Sequence, residues 1–148
     1  MGKIKSEQIT NFAVILIALS ALFVSIWQGR LLQKHNKLSV KPYLTAELNQ
    51  GDTTLTANLL NEGFGPAIIK KVNFSYQGQT YSSLEDLLKG SGEIENRLES
   101  WSLNEGTIIS GNSSRLIVKL KGREVRGVEI EIEFISIYEE REKKLFFF

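Results

Sequence analysis

The chain has 148 residues, of which 42% are hydrophobic, with a net charge of +1 at pH 7, one histidine and no cysteine. The lack of cysteine excludes disulfides, thiolate metal sites and a cysteine nucleophile, and His35 has no second histidine with which to complete a zinc site. Residues 1–42 carry six bases against one acid, and residues 43–148 carry 12 bases against 16 acids, which argues against nucleic-acid binding by the second part.

An apolar stretch lies close to the N-terminus. Residues 9–27 contain no charge and no proline, and as a helix they would span roughly 28 Å, the thickness of a bilayer core. We therefore predict a short tail at 1–8 and a transmembrane helix at 9–28. A cleaved signal peptide is the alternative, since Leu19-Ser20-Ala21 is a weak cleavage site. An uncleaved anchor is favoured because the apolar run continues six residues past Ala21.

The charges that flank this stretch predict its orientation. Lys3, Lys5 and Glu7 precede it, whereas a basic neck at 29–42 follows it, with Arg30, Lys34, Lys37 and Lys41. The positive-inside rule places the more basic flank in the cytoplasm. We expect a protein of the inner (cytoplasmic) membrane, with the N-terminus outside and the domain that follows in the cytoplasm. A periplasmic or surface domain is opposed by the same charges.

Two spacings in this region indicate contacts beyond anchoring. Ala21, Ser25 and Gly29 recur every four residues, and small residues at that spacing let two membrane helices approach closely, so we predict self-association there. Small residues are also common in any membrane helix. The four neck bases would share one helix face, which predicts contact with anionic lipid head groups, although an ordinary cytoplasmic flank has the same charge.

Residues 43–148 have the pattern of an all-β domain. Alternation predicts a hairpin of 44–48 with 55–59, a strand at 68–76 that turns at 77–79, and a strand at 106–109. A short helix within 82–90 should pack Leu84, Leu87 and Leu88 on the sheet. Residues 91–105 are ambiguous. About seven strands and one short helix predict a β-sandwich or a small barrel.

The two long strands before the final one are predicted to form a hairpin. Residues 116–121 and 128–134 both alternate, and a register with Lys121 opposite Glu129 would also place Lys119 opposite Glu131. The apolar residues of the two strands would then face each other. A turn at 139–142 and a strand at 144–148 complete the domain.

The loop at 61–67, NEGFGPA, is the most distinctive segment of the domain. It does not match a phosphate-binding loop, because no G-K-[S/T] follows it. Its residues Asn61, Gly63, Gly65 and Pro66 are candidates for shaping a surface that a partner contacts. A structural connection between strands is the alternative.

Three stretches together resemble a group of uncharacterised bacterial inner-membrane proteins with one N-terminal span and a small β domain. They are KHNKLSVKP at Lys34–Pro42, NEGFGPA at Asn61–Ala67 and FISIYEE at Phe134–Glu140. The resemblance covers most of the chain and implies no activity. The chain departs from that pattern at Glu139, where many such proteins have a glycine, so a different final turn is expected. The layout alone is also similar to the membrane effectors of nucleotide-activated antiphage systems.

These observations predict a protein that binds rather than catalyses. We expect no enzyme activity, cofactor, metal site or nucleic-acid partner, and a β domain that binds a protein partner or a small ligand at the inner membrane. The alternative is a membrane-disrupting effector of an antiphage defence system, in which the β domain senses a ligand and the spans oligomerise.

Overall fold

A computed structural model of the protein describes residues 6–122 and 127–148, with side chains from residue 7 onward. Most of the predicted tail at 1–8 and of the turn between 122 and 127 lies outside these residues. The chain divides into two units, of which the first ends at Leu38 and the second is Ser39–Phe148.

The described part of the first unit lies in one long helix. Helix α1, Ser6–Ser39, has 34 residues and continues without a break from the apolar stretch into the basic neck. Within the described chain it is the one helix that is long and apolar enough to cross a membrane, and a signal sequence also has these properties.

The second unit is mostly β. Its strands are β1 (Leu44–Gln50), β2 (Thr54–Asn61), β3 (Ala67–Tyr76), β4 (Gln79–Tyr81), β5 (Arg97–Ser100), β6 (Ile108–Ile109), β7 (Ser113–Lys121), β8 (Val128–Ile135) and β9 (Arg141–Phe147). Helix α2 (Leu84–Gly90) and a one-turn 3-10 helix (Ile94–Asn96) lie between β4 and β5. The prediction of about seven strands and one short helix was therefore too low on both counts in the described residues.

Two antiparallel sheets contain these strands. One sheet has the order β1-β2-β7-β5, and the other has the order β4-β3-β8-β9 with β6 also paired to β3. A single core of apolar side chains joins both sheets and α2, including Leu59, Ile117, Phe134 and Leu88. The alternation in β2 and β8 places their apolar residues in this core, since every second side chain of a strand points to one face.

The local elements agree with the sequence analysis. The β1–β2 hairpin pairs Leu48 with Ala57, and β3 turns into β4 through Gln77 and Gly78, both with positive φ. Helix α2 begins after Ser83, whose hydroxyl accepts a hydrogen bond from the Asp86 amide at 3.1 Å. Leu84, Leu87 and Leu88 are buried as predicted.

The predicted pairing of β7 with β8 was wrong. Strand β7 pairs with β2 and β5, whereas β8 pairs with β3 and β9, so the two strands belong to different sheets. Glu131 lies opposite Asn73 and Leu145 rather than Lys119. A bulge at Ile117 also breaks the alternation of β7, so that Ile117 and Leu120 are buried while Val118 is only partly so.

The turn between β8 and β9 contains a strained residue. Glu139 has φ of +60°, and its amide donates a hydrogen bond to the Ser136 carbonyl at 3.0 Å. This conformation costs an L-residue roughly 1–2 kcal/mol, whereas glycine adopts it readily.

We expect Glu139→Gly to raise the free energy of unfolding by about 0.5–1 kcal/mol. Glycine adopts the left-handed conformation without strain, but its more flexible unfolded chain offsets part of that stabilisation. Urea unfolding of the full chain in detergent, followed by circular dichroism, measures the change. Glu139→Ala removes the same carboxylate without relieving the backbone and serves as the control. Equal stability of the two variants would contradict the prediction.

Candidate functional site at the entry end of the β domain

The buried Asn61 side chain, the closely packed glycines and several exposed apolar side chains lie at one end of the β domain. We call it the entry end, because the chain enters the domain there at residues 39–43. The antiparallel registers place three connections at the same end: the loop 61–67, the turn 110–112 and the turn 136–140.

Asn61 is the centre of this end. Its side chain is 1% exposed and makes four hydrogen bonds. Oδ1 accepts from the amides of Tyr43 at 3.0 Å and Gly63 at 3.1 Å, and Nδ2 donates to the carbonyls of Gly65 at 2.8 Å and Ile109 at 3.1 Å. These bonds use the full capacity of a side-chain amide. Asn61 therefore connects the entering chain, its own loop and the second sheet.

Three glycines let the backbones at this end pack directly on one another. A Cβ on Gly65 would collide with the Val40 carbonyl, one on Gly63 with the backbone of Lys41 to Tyr43, and one on Gly111 with the Phe64 carbonyl. Backbone hydrogen bonds join the same segments, from Glu62 N to Tyr43 O at 2.8 Å and from Asn112 N to Gly63 O at 3.0 Å. The loop is thus fixed on both sides.

The residues predicted to shape a partner surface lie mostly inside this arrangement. Asn61, Gly63 and Gly65 are buried and Pro66 is half-buried, whereas the loop presents Glu62 and Phe64 to solvent. The Phe64 side chain is 77% exposed. The buried residues hold the loop, and Phe64 is the large apolar side chain that the loop exposes.

A row of isoleucines crosses the outer face of the second sheet at the entry end. Ile108, Ile68 and Ile135 are successive cross-strand partners on β6, β3 and β8, and Ile137 follows two residues after Ile135. Ile108 is 54% exposed and Ile137 is also exposed. Their chain neighbours Ala67, Ile109 and Phe134 point into the core. We call Ile68, Ile108, Ile135 and Ile137 the isoleucine row.

A charged cleft adjoins this row. Its volume is about 450 Å³, and Ile135 belongs to both features. A bulge at Lys70 leaves both Lys70 and Lys71 exposed on the same strand. The cleft is lined by Lys70, Lys71, Glu105, Glu133, Phe134, Ile135, Arg141, Glu142 and Lys143. The mixture of four bases and three acids suits a polar rim more than a pocket for a single ion.

The entering chain is also tied to β9. Lys41 Nζ lies 2.7 Å from a Glu142 carboxylate oxygen, and Lys144 lies over the Tyr43 ring at 4.6 Å. The hydrogen bond and charge of Glu142 raise the pKa of Lys41 above its ordinary value. Lys41 was predicted to share a helix face with the other neck bases, but α1 ends at Ser39 and Lys41 lies in the second unit.

The other predicted site residues lie on α1. Arg30, Lys34 and Lys37 fall within about 60° of one another on the helix, so three of the four neck bases share a face. Ala21, Ser25 and Gly29 are exposed, and the Ser25 hydroxyl donates to the Ala21 carbonyl at 2.9 Å within the same helix. Among the described residues, no group of three His, Cys, Asp or Glu side chains could hold a metal ion.

Comparison of the chain with protein-family models finds no match, and comparison with curated protein sequences finds no significant similarity.

We expect Asn61→Ala to lower the free energy of unfolding by about 3 kcal/mol or more, because it leaves two amides and two carbonyls without partners in a buried site. Urea unfolding of the full chain in detergent measures the loss. The matched control is Asn58→Ala on the same strand, where the side chain is half-buried and the effect should be small. Equal losses at the two positions would show that the Asn61 hydrogen bonds do not hold the entry end.

The hydrogen bonds of Glu131 should make the stability of the domain depend on pH. A hydrogen bond from Lys143, at 2.7 Å, and a second from Asn73, at 2.8 Å, lower the pKa of Glu131 below 4.5. The stabilisation is therefore present above about pH 4.5 and is lost as the pH falls through the lowered value. Since the pair is near the surface, we expect less than about 1 kcal/mol.

Glu131→Gln should accordingly flatten the fall in unfolding free energy between pH 6 and pH 3, by about that amount. Urea unfolding at several pH values checks this, with Glu129→Gln, an exposed glutamate on the same strand, as the control. An unchanged pH profile in Glu131→Gln would refute the assignment.

Proposed function

We propose that this chain is a non-enzymatic, single-span protein of the bacterial inner membrane whose cytoplasmic β domain binds a protein partner at its entry end. In this proposal the two sheets form a β-sandwich, α1 is an uncleaved anchor, and the N-terminus lies outside the cell. The length and apolar character of α1 and the basic residues after its apolar stretch support this placement.

The observation that carries the proposal is the isoleucine row beside the charged cleft. An apolar patch with a charged border is typical of a protein–protein interface. Phe64 adds an exposed aromatic ring at the same end of the domain, on a loop whose backbone is fixed by Asn61. A rigid loop loses little conformational entropy when it binds, which favours recognition by this surface.

A small apolar ligand has less support. The cavity between the sheets, which Leu87, Val118, Ile130 and Phe148 help to line, has a volume of only about 40 Å³. Ligand pockets in proteins usually measure about 300–1,000 Å³. The larger cleft is open and lined mainly by charged side chains. A protein surface is the better fit to both features.

The helix supports two further parts of the proposal. Arg30, Lys34 and Lys37 share one face of α1 directly after the apolar stretch. Attraction of such bases to anionic head groups contributes about 1 kcal/mol of binding free energy per charge. Ala21, Ser25 and Gly29 offer a small-residue face for self-association in the membrane.

The partner surface can be tested by photo-crosslinking in the native cell. A benzophenone amino acid at Ile108 of the full chain should give a discrete adduct, and Ile137→Glu should abolish that adduct because it places a charge in the isoleucine row. The same probe at Leu98, which is 55% exposed on the other sheet, is the matched control.

Identical adducts at Ile108 and Leu98, or an adduct at Ile108 that survives Ile137→Glu, would contradict the proposed surface. Membrane damage on induction of the full chain that is absent without α1 would instead support the effector alternative.

A further inference from the structure

Helix α1 extends well past its apolar stretch. The segment Gln28–Ser39 adds 12 residues, or about 18 Å, and we call it the neck helix. In the single chain its residues are exposed except for Lys37, which is half-buried. Leu31 is 50% exposed and Leu38 is 61% exposed. An isolated helix of this length would be marginal in water, and packing of an apolar face would add stability to this extension of α1.

Two of the three exposed leucines, Leu31 and Leu38, continue a seven-residue repeat, and Leu32, which is 62% exposed, lies beside it. Ile17, Val24, Leu31 and Leu38 are each seven residues apart, and Ala21, Gln28 and His35 form a second series at the same interval, displaced by four. Alternating steps of four and three are the spacing of a coiled-coil seam. Within the apolar stretch almost any spacing would find an apolar residue. In the polar neck helix the coincidence of Leu31 and Leu38 with the repeat is informative.

We propose that the neck helix forms a parallel coiled coil with a second copy of this chain, along a seam of Gln28, Leu31, His35 and Leu38. This inference rests on the proposed membrane insertion, because copies that insert in the same direction present this seam parallel and at the same depth. When the partner is a second copy of this chain, both helices carry the same repeat, and their seam residues face one another along the contact.

The charges of the neck helix are compatible with this pairing. Arg30 and Lys37 lie on the side away from the seam, and Lys34 beside the seam would approach Ser39 of the other copy, which is uncharged. Pairing therefore brings no two lysines into direct opposition. It also leaves the basic face turned outward. Gln28 and His35 would each meet their own counterpart, and polar residues at such positions favour a single register.

The seam differs from the small-residue face. Ala21, Ser25 and Gly29 advance about 40° with each step of four, so by Gly29 and Gln33 that face has rotated to the side opposite Leu31 and Leu38. Contact along the small-residue face would therefore bring Gln33 of two copies together, whereas contact along the seam would separate them.

Because the chain has no cysteine, single cysteines can be introduced one at a time from Gln28 to Ser39 in the full chain. Each variant is expressed, its membranes are isolated, and disulfide-linked dimer is measured after oxidation with copper phenanthroline. We expect severalfold more dimer at Gln28, Leu31, His35 and Leu38 than at the controls Arg30, Gln33 and Lys37.

A second experiment tests the leucines directly. Leu31→Glu combined with Leu38→Glu should remove most of the dimer formed by Gln28→Cys, whereas Gln33→Glu combined with Asn36→Glu, with the same added charge, should leave it. Equal yields at all positions, a maximum at Gly29 and Gln33, or insensitivity to the two leucine changes would overturn the seam.

Extraction of the membranes with alkaline carbonate separates this result from the proposed function. A chain that remains in the membrane but shows no periodic cross-linking overturns the seam alone. A chain that carbonate releases, yet cross-links with the expected period, keeps the seam and overturns the proposed anchor.

Discussion

The β domain depends on one buried side chain whose four hydrogen bonds hold together segments that are distant in the sequence. Asn61 ends β2 in one sheet and donates to the Ile109 carbonyl on β6 of the other. It also accepts from the Tyr43 amide, where the chain enters the domain. A buried amide with unmet hydrogen bonds would be costly, so these segments have little freedom to separate. The close backbone packing at Gly63, Gly65 and Gly111 follows from the same constraint.

This rigidity explains why the exposed features of the entry end are well defined. Phe64 projects from a loop whose flanking residues Gly63 and Gly65 are buried and hydrogen-bonded. Strand pairing fixes Ile68, Ile108 and Ile135 of the isoleucine row, and Asn61 ties β6 to the loop through the Ile109 carbonyl. The fixed loop and the paired strands together therefore present apolar side chains at one end of the domain. An interface built on such a surface needs little rearrangement on binding.

Local structure could be predicted from the sequence, whereas the assembly of the sheets could not. The short helix before Gly90, the turn after Tyr76 and the β1–β2 hairpin depend on residues close in the chain, and all three were predicted where the structure has them. The β7–β8 hairpin was predicted wrongly. Strands β7 and β8 carry complementary charges, and these charges do not distinguish a β7–β8 pair from the pairs with other strands that the structure shows. The choice of which strands pair within each sheet depends on the packing of the whole core, which the alternation and charge of single strands do not encode.

The candidate site follows the same division. The loop at 61–67 was singled out by its glycines and proline, but the inward direction of Asn61 is a property of the folded loop. The isoleucine row was missed because it exists only when β6 and β8 both pair with β3. The one available signal was the run of paired isoleucines at 68–69 and 108–109, in which one residue of each pair must face outward on a strand. The bulge at Lys70, which opens the charged cleft, gave no signal of its own.

The geometry of α1 restricts how its possible roles combine. Arg30 and Lys37 lie away from Leu31 and Leu38, and Lys34 lies beside them, so contact with lipid head groups and pairing through the leucines use different faces of the helix. The small-residue face and the leucine face share Ala21 but diverge as the helix leaves the apolar stretch. A single pair of straight helices can follow one of these faces along its length, not both, since a four-residue spacing and a seven-residue repeat favour crossings of opposite hand. Pairing along the small-residue face and pairing along the seam are therefore competing geometries.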